Sequence, residues 1–165
     1  MGIDAKVYYG RAVVLVCALL TEEERQTIKE FLNEDFYDKD NADMIVTEES
    51  YGEFEKSLVT FWAYDPQNLF ENNGWRRPLV INSSNIDEVP KKLHNGVGSE
   101  KLWEPSYENI DMLMDDFAIK DDLKQLTINQ VCERLEKEGS SQNLISLIRD
   151  TPHKIPGIWM KYSVC

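Results

Sequence analysis

The chain has few of the residue types on which common catalytic sites depend. Only two histidines occur in 165 residues, and the three cysteines lie far apart with no CxxC spacing. This composition argues against a zinc site, which needs several His or Cys ligands. The chain also lacks the motifs of serine hydrolases, phosphate-binding loops and dinucleotide-binding folds. We therefore predict no catalytic residues and no cofactor, and expect a protein that is not an enzyme.

Long apolar segments are also missing. The longest apolar run, residues 12–20, is shorter than the roughly 20 residues that a membrane-spanning helix requires. Glu22 follows it closely without the small residues of a signal-peptide cleavage site. An odd number of unpatterned cysteines favours a reducing compartment. We predict a cytoplasmic protein that makes no membrane contact.

Positive charge is scarce and unevenly distributed. The chain has 18 Lys and Arg against 30 Asp and Glu, a net charge of −12, which disfavours direct contact with nucleic acid. Residues 22–55 contain thirteen acidic and three basic residues, a net charge of −10. Such a concentrated block can steer a basic protein surface toward the chain. The alternative is a solvated helix face followed by an acidic loop, which only keeps the protein soluble.

The predicted partner is a basic host protein. In the most specific form of this hypothesis, the surface of that protein normally binds nucleic acid. The candidate partner-binding residues are the carboxylates of the acidic block and the aromatic residues beside them, which would act as anchors. They are Asp35, Phe36, Tyr37, Asp38, Asp40, Asp43, Glu48, Glu49, Tyr51 and Phe54.

A second candidate contact follows the Asn-Gly turn at residues 73–74. Trp75, Arg76 and Arg77 form a candidate binding tip, because Trp and Arg are enriched in interface hot spots. The alternative is that Trp75 packs into the core while the two arginines pair with the acidic block.

Residues 38–49 partly match the calcium-binding loop of an EF-hand. Asp38, Asp40 and Glu49 fit ligand positions, but Ala42 and Asp43 replace an oxygen ligand and the glycine of the sharp turn. We therefore predict no bound metal. If a metal does bind, those three carboxylates are the candidate ligands. The alternative function is a small-ligand or divalent-metal-binding domain, including a metal-dependent enzyme that uses carboxylates.

The hydrophobic pattern predicts a single α+β domain. Residues 5–16 alternate and then become continuously apolar, which is typical of a central strand covered on both faces. This strand and three further predicted strands form a mixed or antiparallel sheet of four to five strands. The further strands are residues 57–64, 78–82 and 157–164. Residues 43–47 are a further short strand candidate. Predicted helices cover residues 22–33, 85–93, 106–117, a segment capped by Thr127, and 144–148, and those of residues 85–149 should pack mainly on one face.

The two ends of the chain resemble a known group of proteins. The opening MGIDAKVYYG, the Leu-Thr-Glu-Glu helix start and the closing Trp159-x-x-Tyr162 strand are similar to small uncharacterised proteins of tailed bacteriophages and some bacteria. This resemblance implies a cytoplasmic accessory protein of a phage-infected cell. It brings no catalytic residues with it, and it favours an interaction or inhibitor role over an enzymatic one.

Overall fold

A five-stranded antiparallel sheet is organised around one long strand, β1 (Asp4–Val16). The computed structural model describes residues 4–33, 45–65, 67–73, 79–80, 101–102 and 121–164. One edge of β1 pairs along most of its length with β7 (Lys154–Val164). The other edge pairs first with β4 (Gln67–Asn73) and then with β3 (Glu53–Trp62). Beyond β3 lies β2 (Val46–Tyr51).

The second half of β1 is buried on both faces, which confirms the prediction from its continuous apolar run. Val13 and Leu15 belong to a cluster that includes helix residues, the helix-side cluster. Val14 and its neighbours two positions away belong to a second cluster with Trp62 and Trp159. Each of these side chains is at most 2% exposed. Because side chains alternate along a strand, a run that is apolar at every position supplies both clusters.

Three helices pack on the helix-side cluster: α1 (Glu22–Leu32), α2 (Asp121–Lys137) and α3 (Gln142–Asp150). A short 3₁₀ helix, Cys17–Leu19, leads from β1 into α1. α3 begins at an N-cap, where the Ser141 hydroxyl accepts from the Leu144 amide. The described helices therefore lie on one face of the sheet, as predicted, and the fold class is α+β.

Two predictions about elements were wrong, and one strand was missed. Residues 79–80 form β5 (Leu79–Val80), which pairs with β6 (Lys101–Leu102) in a separate ribbon instead of joining the main sheet. The position beside β1 is taken by β4, whose Asn-rich sequence gives no strand signal. Thr127 does not start a helix: it is fully buried inside α2. The predicted helices of residues 85–93 and 106–117 lie outside the described residues.

Candidate functional site

The first turn of α1 carries three consecutive carboxylates, and a capping box fixes where that turn begins. The Thr21 hydroxyl accepts a hydrogen bond from the Glu24 amide at 3.2 Å, and Glu24 Oε1 accepts one from the Thr21 amide at 2.9 Å. The apolar face of the helix then points inward, with Ile28 and Phe31 buried in the helix-side cluster. This orientation directs the carboxylates of the opposite face toward solvent. Those in the first turn also interact favourably with the positive end of the helix dipole.

The two basic residues of α1 are turned away from these carboxylates. Arg25 Nη1 donates to the backbone carbonyls of Cys17 at 3.2 Å and Leu20 at 2.7 Å. Lys29 Nζ lies 5.0 Å from the ring centroid of Phe54 on β3, within cation–π range.

Three glutamates of α1, Glu22, Glu23 and Glu30, are exposed. Within the described part of the chain they make no ion pair with a cationic group inside 4 Å. Among the described residues, their charge is therefore presented to solvent without a paired cation.

The β2–β3 hairpin adds a second set of carboxylates next to α1. Gly52, with φ of +89°, makes the turn between Tyr51 and Glu53, a backbone conformation that glycine adopts at low cost. Glu53 and Glu55 are exposed, whereas Glu48 and Glu49 are half-buried.

We define the acidic face as the carboxylates of α1 and of this hairpin. Its members are Glu22, Glu23, Glu24, Glu30, Glu48, Glu49, Glu53 and Glu55. Against these eight acids the described part of residues 22–55 has two bases, a net charge of −6.

Cys17 lies beneath the acidic face and is sensitive to it. The pKa of its thiol is raised to about 12, mainly by burial and in addition by the carboxylates of Glu48 and Glu55, while the Arg25 guanidinium and the Lys29 ammonium group oppose the rise. The contact of Lys29 on α1 with the Phe54 ring on β3 places the two parts of the acidic face close together in space.

The structure covers some of the residues predicted to bind a partner. Glu48 and Glu49 lie on β2, opposite Val59 and Leu58, and Tyr51 is opposite Glu53. Phe54 is half-buried and packs against the helix-side cluster. Asp35, Phe36, Tyr37, Asp38, Asp40, Asp43 and the candidate tip Trp75, Arg76 and Arg77 lie outside the described residues, as do two of the three candidate metal ligands. Their roles stay predictions.

Two features of this region were missed in the sequence. The exposed glutamates of α1 were not named as contact residues, although the capping box and the apolar stripe together imply their outward direction. Leu19, in the 3₁₀ helix, is 45% exposed beside them. It belongs to the apolar run of residues 12–20, and the pattern alone does not distinguish it from the buried positions before it.

A separate groove lies between α2 and the corner where β3 gives way to β4. The groove has a volume of about 670 Å³, and Tyr64, Asp65, Gln130 and Glu133 are among its lining residues. Tyr64 is 53% exposed at this corner.

Two arginines contact residues that line the groove, and one of them, Arg134, is itself part of the lining. Arg134 forms an ion pair with Asp65 and donates to the Trp62 carbonyl at 3.3 Å. Arg11 is buried nearby, with Nη1 3.5 Å from Gln130 Oε1, and burial lowers its pKa. The groove therefore combines charges of both signs.

Comparison with known proteins returned no match: no family model, curated protein or solved structure is similar to this chain. Within the described residues, no group of three or more His, Cys, Asp or Glu side chains is arranged to hold a metal ion. The same residues contain no helix long and apolar enough to cross a membrane.

Proposed function

We propose that the protein is a non-enzymatic interaction module whose acidic face binds a basic protein surface. The observation that carries this proposal is the arrangement of charge on α1. Within the part of the chain that the structure describes, its exposed glutamates make no ion pair, while Arg25 donates to backbone carbonyls and Lys29 lies over the Phe54 ring. A face of one sign creates a directional field that accelerates association with a surface of the opposite sign.

In its sharpest form the proposal is mimicry of nucleic acid. Glu30 follows Glu22 by eight residues, which corresponds to about 12 Å along a helix axis. One DNA strand rises about 3.4 Å per phosphate, so that the same length spans three to four phosphates. A basic protein that normally binds nucleic acid would meet negative charges over a similar distance. The resemblance to phage accessory proteins supports the same role, with a host protein in the bacterial cytoplasm as partner.

The test is capture of a partner from a bacterial lysate by the immobilised protein at two salt concentrations. Screening shortens the range of charge interactions from about 10 Å at 0.1 M salt to about 3 Å at 1 M. We expect a basic protein to bind at the lower concentration and to be released at the higher one. If the partner's site is one for nucleic acid, duplex DNA added to the lysate will prevent capture.

Two variants distinguish an effect of the acidic face from an effect of the net charge of the whole protein. The face variant reverses Glu23, Glu30 and Glu53 to Lys. The control variant reverses Glu133 and Glu136 on α2 and Glu138 directly after it, and all six residues are exposed. Both change the net charge equally, but only the face variant should slow association, by about tenfold or more. Equal slowing by both variants, or no captured protein at any salt concentration, would contradict the proposal.

The groove beside Tyr64 favours a second candidate function, a small-ligand-binding domain. A groove of this volume falls within the range of ligand sites. A thermal-shift screen with small metabolites and with calcium, magnesium, manganese and zinc tests it, because a ligand of the folded state raises the melting temperature. The shift should disappear when Tyr64 and Gln130 are both changed to Ala. A shift that survives this change would place the ligand elsewhere.

A further inference from the structure

The chain presents an exposed apolar tip directly beside the acidic face. Ala18 and Leu19 are exposed, while their neighbours Cys17 and Leu20 are at most 5% exposed. Buried residues on both sides anchor this short segment to the core. The tip is followed at once by Thr21 and the carboxylates of the first turn of α1.

The tip is held rigidly by its backbone. The Leu20 amide donates to the Cys17 carbonyl at 3.1 Å and closes the 3₁₀ turn. Arg25 Nη1 donates to the same carbonyl and to that of Leu20, so that one guanidinium clamps both ends of the tip. An apolar side chain already fixed in position loses little conformational freedom on binding, which is the benefit of a preorganised contact.

We propose that Leu19 is the apolar anchor of the interface formed by the acidic face, and that the partner presents an apolar recess bordered by Lys or Arg. This inference rests on the proposed function and specifies the partner's surface. Charge complementarity selects the basic border, because the carboxylates of Glu22 and Glu23 follow the tip in the chain. The apolar centre supplies affinity, as in interfaces with a hydrophobic core and a polar rim.

Two other large apolar residues of the described chain are exposed, and they serve as comparisons. Leu126, on α2, is 42% exposed, close to the 45% of Leu19, but it is outside the acidic face. Tyr64 belongs to the groove. Of the three, Leu19 alone combines exposure, a clamped backbone and adjacent carboxylates that form no ion pair with any residue the structure describes.

The experiment uses two synthetic peptides of equal length and charge as probes. One repeats Lys-Leu-Leu-Lys and the other Lys-Ser-Ser-Lys, and binding of each to the full chain is measured by calorimetry. Covering the exposed half of a leucine side chain should make the leucine peptide bind about tenfold more tightly. Backbone amide NMR shifts on titration should be largest at residues 18–24.

Three variants decide the outcome. Leu19→Ser should abolish the tenfold difference, Leu126→Ser should preserve it, and Arg25→Gln should reduce it by loosening the tip. Circular dichroism verifies that each variant is folded, and the substitutions at positions 19 and 126 remove exposed side chains only.

The possible results separate the two proposals. Equal binding of both peptides to the natural sequence, or equal loss in the Leu19 and Leu126 variants, would overturn the anchor and leave the acidic face intact. Binding of neither peptide at low salt would contradict the proposed function as well. A leucine-dependent advantage that only Leu19→Ser removes would establish the anchor.

Discussion

Removal of the capping box at the start of α1 should destabilise the protein by a measurable amount. The change is Thr21→Ala, which removes the hydroxyl that accepts from the Glu24 amide. The hydroxyl satisfies an amide that has no partner within the helix. Its loss also frees the Glu24 carboxylate, which accepts from the Thr21 amide in the intact box.

The expected loss is about 1 kcal/mol in the free energy of unfolding, the usual cost of replacing an N-cap threonine by alanine. Glu24→Ala removes the reciprocal hydrogen bond, so that the double variant should lose less than the sum of the two single losses. We expect the difference to be about 0.5 kcal/mol, a coupling typical of residues in contact. In a chain of this length, 1 kcal/mol corresponds to a decrease of about 2–4 °C in melting temperature.

Urea unfolding followed by tryptophan fluorescence measures the effect, because Trp62 and Trp159 are buried in the folded protein. Thr27→Ala is the matched control: Thr27 is also on α1, but its hydroxyl donates to the Glu23 carbonyl in the helix interior. Alanine is a better helix former than threonine, so this control should be neutral or slightly stabilising. A Thr21→Ala variant within about 0.3 kcal/mol of the natural sequence would refute the role assigned to the cap.

Three further predictions follow from the described residues. First, the buried thiols of Cys17 and Cys132, whose pKa values are raised by burial, should resist alkylation at pH 8 until the chain is unfolded, as mass spectrometry of the labelled peptides would reveal. The Cys17 thiol has a pKa of about 12 in the folded protein, compared with an ordinary value of 9.0. Its contribution to stability should therefore be present below pH 9 and decline as the pH rises toward 12. Cys17→Ala should weaken that decline, and an unchanged dependence of stability on pH would contradict the assignment. Second, salt should raise the melting temperature by screening repulsion within the acidic face, and this increase should be smaller in the face variant than in the control variant defined above. Third, Gly52→Ala and Gly139→Ala should each lower the free energy of unfolding by about 1 kcal/mol. Both glycines have positive φ, and an added methyl group meets no atom within 4 Å, so that the loss would come from backbone strain alone. Denaturation curves that match those of the natural sequence would exclude such strain at these turns.

The elements that could be predicted from sequence are those with a strong local signal. β1 is apolar at every position of its second half, and α1 carries both a capping box and an apolar stripe. Gly139, which follows α2, has a positive φ, a conformation that glycine commonly supplies where a helix ends. In each case the residues that determine the element lie within it.

Elements determined by distant contacts could not be predicted in the same way. β4 contains three asparagines and is a strand because β1 offers it an edge next to β3. Thr127 matches a capping pattern, yet packing inside α2 overrides that local preference. The same limitation applies to the acidic face: the sequence revealed its charge, whereas the positions of Arg25 and Lys29 decide how much of that charge is compensated.

The pairing of β1 with β7 has a consequence for synthesis of the protein. Ala5 pairs with Val164, so that the most apolar strand leaves the ribosome well before its longest partner, which lies far later in the sequence. Such distant pairing slows folding and leaves an apolar edge open to aggregation in the interval. The neighbouring strands β3 and β4 are synthesised sooner and can cover only the other edge. Chains that stop before β7 should therefore be retained by chaperones or aggregate, whatever the state of the acidic face.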